Sequence, residues 1–165
     1  MIKFAKKNGG AKIPSKTPDN AGYDLYACFD KPIFQLKANS TTLVPTGLLS
    51  CFGSDYYIQF QNRGSNGSKG LLQACGVVDS SYRGEWFVAL TNTNNVDWYI
   101  VKNEFINTPL FSAMNIKDTI YPYEKAICQF VVLPVPKMEI KEVTEEEILN
   151  EKSTRGDGKL GSSGK

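Results

Sequence analysis

The apolar residues of this chain come in short runs, and glycine, proline, asparagine or aspartate ends nearly every one. Punctuation of that kind predicts many short strands joined by turns. Strands are expected near residues 2–5, 21–28, 34–36, 42–49, 56–60, 71–78, 86–90, 96–101 and 126–133. The last is nearly continuous and β-branched, the pattern of a buried strand, and Pro134 and Pro136 close it. One segment carries a full helix signature: Thr144 with Glu147 forms a capping box and predicts a helix to about Lys152. A shorter helix is predicted around Pro109 to Met114, with Thr108 as its N-cap. The expected fold is therefore all-β, a sandwich or barrel with the jelly roll favoured, and with one full helix.

A length of 165 residues suits one well-cored domain and is short for two. We expect that domain over residues 1–150. Residues 151–165 hold glycine too often to pack a core and are expected to form a flexible C-terminal arm. Lys and Arg number 19 against 17 Asp and Glu, a balance that argues against a general nucleic-acid binder. No run is long enough to span a bilayer and no signal segment is evident, so a cytoplasmic protein is expected. The chain has no histidine, so any acid–base chemistry must use a carboxylate, lysine, tyrosine or cysteine. Cys28, Cys51, Cys75 and Cys128 are widely spaced without zinc-ligand spacing and read as buried free thiols.

Chemistry is expected first at residues 76–85. The apolar run over 71–78 stops at Asp79; Tyr82, Arg83 and Gly84 follow, and a second apolar run begins at Trp86. A carboxylate at the junction of two strands is held by a rigid element, as a general base must be, although a capping turn would use Asp in the same place. Residues 61–70 gather Arg63, Gly64, Ser65, Lys69 and further glycines, a composition suited to cradling phosphates and equally to a surface loop. The spacing is not that of a P-loop. Asp24 and Gln129 are polar residues inside expected strands, and Arg155, Ser162 and Ser163 offer phosphate donors in the arm.

Five stretches in this order resemble the five motifs of the homotrimeric dUTPases. They are residues 21–27 around Asp24, Arg63-Gly64-Ser65, residues 76–84 around Asp79 and Tyr82, residues 126–130 around Gln129, and residues 155–164 of the arm. The resemblance implies a jelly-roll trimer with shared sites that hydrolyses dUTP to dUMP and pyrophosphate with Mg²⁺. Asp79 would be the base, and Tyr82 would lie under the deoxyribose. A hairpin over residues 73–78, with Gln73, Gly76, Val77 and Val78, would read uracil. Arg63, Gly64, Ser65, Gln129, Arg155, Gly161, Ser162 and Ser163 would hold the triphosphate, Leu160 would cover the base, and Asp24 would act on the metal through water.

The chain departs from the family pattern in places. Gly64 stands where a serine usually follows the arginine, and Leu160 replaces an aromatic, giving up stacking of about 1 kcal/mol. Residues 92–121 read as an insert like those of some phage members, with Trp98, Tyr99, Phe105 and Phe111 suited to a protein partner or to packing on the chain's own body. Two rival functions share the scaffold: a dCTP deaminase, and a regulatory protein-binding trimer without catalysis. The Asp79–Tyr82 arrangement favours the hydrolase over both.

Overall fold

The computed structural model describes residues 1–156 and 158. In chain order the first strands are β1 (Lys3–Lys6), β2 (Tyr23–Leu25), β3 (Ile33–Leu36), β4 (Ser40–Pro45), β5 (Leu48–Cys51) and β6 (Tyr56–Gln61). A helical turn α1 (Gly64–Gly67) precedes β7 (Leu71–Gln73), β8 (Val77–Val78), β9 (Phe87–Asn92) and β10 (Trp98–Val101). Two short helices, α2 (Asn103–Ile106) and α3 (Pro109–Ala113), lead to β11 (Ile120–Pro122), β12 (Cys128–Pro134) and α4 (Glu145–Asn150). The described strands form four small sheets, ordered β2-β12-β6-β8, β4-β9-β7, β11-β10-β3 and β1-β5. The expected all-β class holds, and the jelly-roll expectation is met.

Alternation along the strands sets the core. In β6 the side chains of Ile58 and Phe60 are buried while Gln59 and Gln61 face the other way, and in β12 Cys128 and Phe130 are buried opposite Gln129. The core centres on Trp86, with the rings of Phe4, Phe60 and Phe130 edge-on to it at centroid distances of 5.3, 5.7 and 5.4 Å. Edge-to-face packing of this kind stabilises a core beyond the area it buries. Trp86 also donates its indole N–H to Ser50 Oγ at 3.1 Å, so its polar edge is satisfied.

The structure corrects several details. The run over residues 71–78 is not one strand, and residues 73–78 do not form the expected hairpin: β7 pairs with β9 and β8 pairs with β6, so the chain crosses between two sheets at residues 74–76. Within residues 92–121, β10 pairs antiparallel with β3 and parallel with β11, and Ile100, Val101 and Tyr121 are buried, while the helical crossover between β10 and β11 stands outside the sheets. Lys102 anchors the start of that crossover, its ammonium 5.3 Å from the Tyr123 ring and 5.8 Å from Phe29. Cys51 is exposed, since strand β5 ends with it on the outward face, whereas Cys28 and Cys128 are buried as expected.

Both helix-cap expectations hold: Thr108 accepts from Phe111 N, and Thr144 and Glu147 form the full capping box. Residues Met1–Val135 make one compact unit, and Pro136–Lys165, which carries α4, a second. No helix among the described residues is long and apolar enough to cross a membrane.

Candidate active site

Strand register builds the first cleft. In the order β2-β12-β6, Gln129 lies opposite Asp24 on one side and opposite Gln61 on the other, so the three polar side chains stand abreast on the outward face. Cross-strand partners of this kind lie within about 5 Å of each other. The chain then turns through Asn62 into the glycine-rich stretch, and Arg63 folds back over Asp24. Its Nε lies 3.0 Å from Asp24 Oδ1, and Nη1 donates to the carbonyl of Ala126 at 3.0 Å. The Asp that looked out of place in a strand is thus held by a guanidinium. Gln129 packs on Gly22, where a side chain would lie 3.1 Å from Gln129 Cδ and closer still to Oε1, and donates to the carbonyl of Asn62 at 2.8 Å. These residues, with Gly64 and Ser65, line an open cleft of about 690 Å³.

A buried network behind the cleft fixes the loop. Asn66 is 2 % exposed and donates to Ile127 O at 2.6 Å, while its Oδ1 lies 2.6 Å from the hydroxyl of Tyr121. That hydroxyl also sits 2.7 Å from Ala126 O, the carbonyl that receives Arg63. Burial pushes the Tyr121 hydroxyl above its ordinary value, so it acts here as a donor. Neither Asn66 nor Tyr121 stood out in the sequence. An Asn in a glycine-rich loop reads as turn chemistry, and Tyr121 gives no local signal of its partner 55 positions away.

The second pocket, of about 280 Å³, is lined by Phe60, Val77, Val78, Asp79, Tyr82 and Trp86 among others. Asp79 is exposed at the end of β8, and the Tyr82 N–H donates to its carbonyl at 3.1 Å, closing a turn. Tyr82 donates its hydroxyl to the carbonyl of Glu85 at 2.9 Å. Cys75, half-buried, also lines this pocket, and burial raises its thiol above the ordinary range.

The expected site residues therefore fall into two groups. Asp24, Arg63, Gly64, Ser65 and Gln129 meet in the first cleft, and Val77, Val78, Asp79 and Tyr82 in the second. Gln73 lines neither; its side-chain amide is committed to Phe60 O at 3.1 Å and Cys75 N at 2.9 Å, and it shapes the crossing between sheets. Gly76 anchors the same crossing by accepting from Phe60 N at 3.1 Å. Arg155 belongs to the second unit, where its Nε donates to Gly158 O at 3.2 Å. Leu160, Gly161, Ser162 and Ser163 lie outside the described residues.

Fold and clefts together define an all-β protein with a carboxylate–tyrosine pocket and a separate polar cleft lined by a guanidinium, a carboxylate and an amide. A family model described as dUTPase matches residues 10–116, and the chain belongs to that family. It is 32% identical to a deoxyuridine 5'-triphosphate nucleotidohydrolase of Psychrobacter cryohalolentis, over 93% of this chain and 86% of that protein. It is 33% identical to the protein of the same name from Nautilia profundicola, over 99% of each. Among solved structures, a Staphylococcus bacteriophage 80alpha dUTPase with dUpNHpp superimposes at a TM-score of 0.75 and 18% identity, over 100% of this chain and 99% of that one. A dUTPase of phage phi11, described with a structural Mg(II) ion, superimposes at 0.67 over 89% of this chain and 99% of that one, at 16% identity. At such identities the likeness speaks for the fold.

Proposed function

We infer that this protein hydrolyses dUTP to dUMP and pyrophosphate, removing a precursor of uracil in DNA and supplying dUMP within the cytoplasm. Membership of the dUTPase family supports the reaction, and one observation carries the site: Asp79 and Tyr82 share a small pocket at the end of a strand rooted in the core. In this reading the nucleoside enters that pocket, its sugar over the Tyr82 ring. Asp79 takes a proton from a water that attacks the α-phosphorus in line; the new bond is oxygen to α-phosphorus, and the bond to the bridging oxygen breaks as pyrophosphate leaves. Phosphoryl transfer of this kind asks for positioning and charge neutralisation more than for covalent catalysis. Arg63, Ser65 and Gln129 supply donors for the triphosphate, with Arg155 and the arm residues Gly161, Ser162 and Ser163 closing over it and Leu160 against the base.

The residues present fit a hydrated Mg²⁺. That ion keeps most of its waters and takes one or two carboxylates with phosphate oxygens. A partly exposed Asp24 facing an open cleft that Asp19 also lines suits that habit, and no group of three or more metal-binding side chains occurs among the described residues. When bound, the ion would neutralise phosphate charge; Asp24 would hold it through water, and Arg63 would be released toward the phosphates.

Geometry also favours a shared site. The first cleft opens on the outward face of the β2-β12-β6-β8 sheet, where Gln129 and Gln61 project, whereas the second lies at the β8 edge of that sheet, lined by Phe60, Val77 and Val78. The two clefts share no lining residue, which supports a site that joins clefts of different subunits. The outward face of the β4-β9-β7 sheet offers a surface for assembly, with Leu43, Leu72 and Phe87 exposed and Thr41 hydrogen-bonded to Thr91 at 2.8 Å. A protein partner at the crossover between β10 and β11 would meet exposed Leu110 and Met114, because Phe105 and Phe111 pack on each other at 5.9 Å.

The test is pyrophosphate release from dUTP with Mg²⁺ by the wild type and by Asp79→Asn. Turnover by the wild type and a loss of about 10²-fold or more in kcat for the variant are expected. No turnover by the wild type would refute the activity, and full activity in Asp79→Asn would refute the base.

A further inference from the structure

Tyr82 is 45 % exposed, so packing does not by itself decide where its ring lies. Two neighbours do. The ring lies across Gly84: a methyl group there would overlap Tyr82 Oη and come within 2.5 Å of Cζ and 2.8 Å of Cε2, closer than real side chains approach. The hydroxyl is held by the carbonyl of Glu85 at 2.9 Å.

Glu85 is itself unusually fixed. Its carboxylate, on a side chain only 11 % exposed, accepts from Gly47 N at 3.0 Å through Oε1 and pairs with Lys7 Nζ at 2.9 Å through Oε2. Gly47 lies in the link between β4 and β5 with a φ of +66°, and its carbonyl accepts from Lys7 N at 2.8 Å. The next residue, Trp86, donates its N–H to Leu48 O at 2.9 Å, and its carbonyl accepts from Thr46 Oγ1 at 2.7 Å. The acceptor for Tyr82 is therefore tied to the core aromatic cluster and to the β4–β5 link.

We propose that Gly84 and Glu85 are positioning residues that hold the Tyr82 ring in place and so set the preference for a 2'-deoxyribonucleotide over a ribonucleotide; the inference rests on the dUTP-hydrolysing reading above. A tyrosine excludes a 2'-hydroxyl only if it cannot swing aside. Gly84 lets the ring lie close to the backbone, and the Glu85 carbonyl fixes its far end. A displacement of about 1 Å at such a position is enough to change rates by orders of magnitude.

The experiment compares kcat/KM for dUTP and UTP, by pyrophosphate release, in the wild type, Gly84→Ala, Tyr82→Phe, Glu85→Ala and Glu85→Gln. The dUTP/UTP ratio is expected to fall about tenfold or more in Gly84→Ala and several-fold in Tyr82→Phe and Glu85→Ala. Glu85→Gln, which keeps an acceptor for Gly47 N–H, should restore most of the ratio. A purely structural role would lower both substrates together and leave the ratio alone. Ratios within about twofold of the wild type in both Gly84→Ala and Tyr82→Phe would overturn the inference. Should Gly84→Ala fail to fold, Tyr82→Phe decides the matter, since it keeps the glycine and removes only the hydroxyl. A wild type inactive on dUTP would overturn the functional reading and this inference with it, whereas an active wild type with unchanged variant ratios overturns this inference alone.

Discussion

Replacing Asn66 by alanine should weaken the fold and the phosphate-facing loop together. The side chain is 2 % exposed and makes a 2.6 Å bond to the carbonyl of Ile127. Truncation leaves that buried acceptor without its donor, at a cost of about 1–3 kcal/mol. The Tyr121 hydroxyl would keep Ala126 O at 2.7 Å, so losing Asn66 Oδ1 adds little on that side. A net loss of about 2–3 kcal/mol follows from the buried acceptor and the small void, and it should lower Tm by about 4–12 °C in a domain of this size. Because Asn66 N–H donates to Arg63 O at 3.0 Å, the same change loosens the residues before it, and KM for dUTP should rise more than kcat falls. Calorimetry and steady-state kinetics read the two effects. Tyr121→Phe is the control: it leaves Asn66 Oδ1 with only Ser65 Oγ at 3.4 Å and should cost about 1 kcal/mol. The double variant should lose less than the sum of the singles, since the two side chains share a bond. An Asn66→Ala protein melting within about 1 °C of the wild type would refute the network's role.

Four further outcomes are expected. Gly64→Ser should lower KM for dUTP, because nothing lies within 4 Å of a side chain placed there and the hydroxyl would face the first cleft; a raised KM in steady-state kinetics would count against the assignment of that cleft. Leu160→Phe should improve kcat/KM by about two- to tenfold by restoring stacking on the base, and an unchanged value would remove Leu160 from the site. Stability should fall above pH 9: burial, with a smaller contribution from nearby Cys75, pushes the Cys128 thiol from 9.0 up to about 12, so the protonated form favours the fold and its contribution, full below the ordinary thiol value, is lost as pH rises toward 12. Urea titrations should show that decline flattened in Cys128→Ala. Finally, mixing Asp79→Asn with Arg63→Ala subunits after joint refolding should recover about a quarter of wild-type activity if each site draws the two residues from different subunits, and none if one chain supplies both.

Much of the fold was legible because alternation and turn residues are local signals. Strands such as β6 and β12 follow directly from apolar periodicity, and both capped helices follow from Thr108 and Thr144. Pairing was less legible. Residues 71–78 read as one hairpin arm, but which sheet each half joins depends on partners at β6 and β9 that no local pattern names. Within residues 92–121, β10 finds its antiparallel partner in β3, about sixty positions earlier, and that contact is likewise invisible in the intervening sequence. Cys51 misled because an apolar run does not say which of its faces is turned to the core.

At the site, the chain carries its chemistry in residues that conflict with their local setting, and the structure gives a physical reason for each conflict. Asp24 is a poor strand residue, yet beside Gln129 and beneath Arg63 it is a carboxylate held ready at the mouth of an open cleft. Tyr82 is a large exposed ring in a turn, yet with no side chain at Gly84 its ring lies close to the backbone and its hydroxyl donates to the Glu85 carbonyl. These two features line two separate clefts that share no residue. In the proposed reading, a substrate that needs a base at one end and cations at the other would bridge two copies of the chain. In the proposed enzyme, assembly would then be a condition of catalysis, since neither cleft alone holds both the base and the phosphate donors.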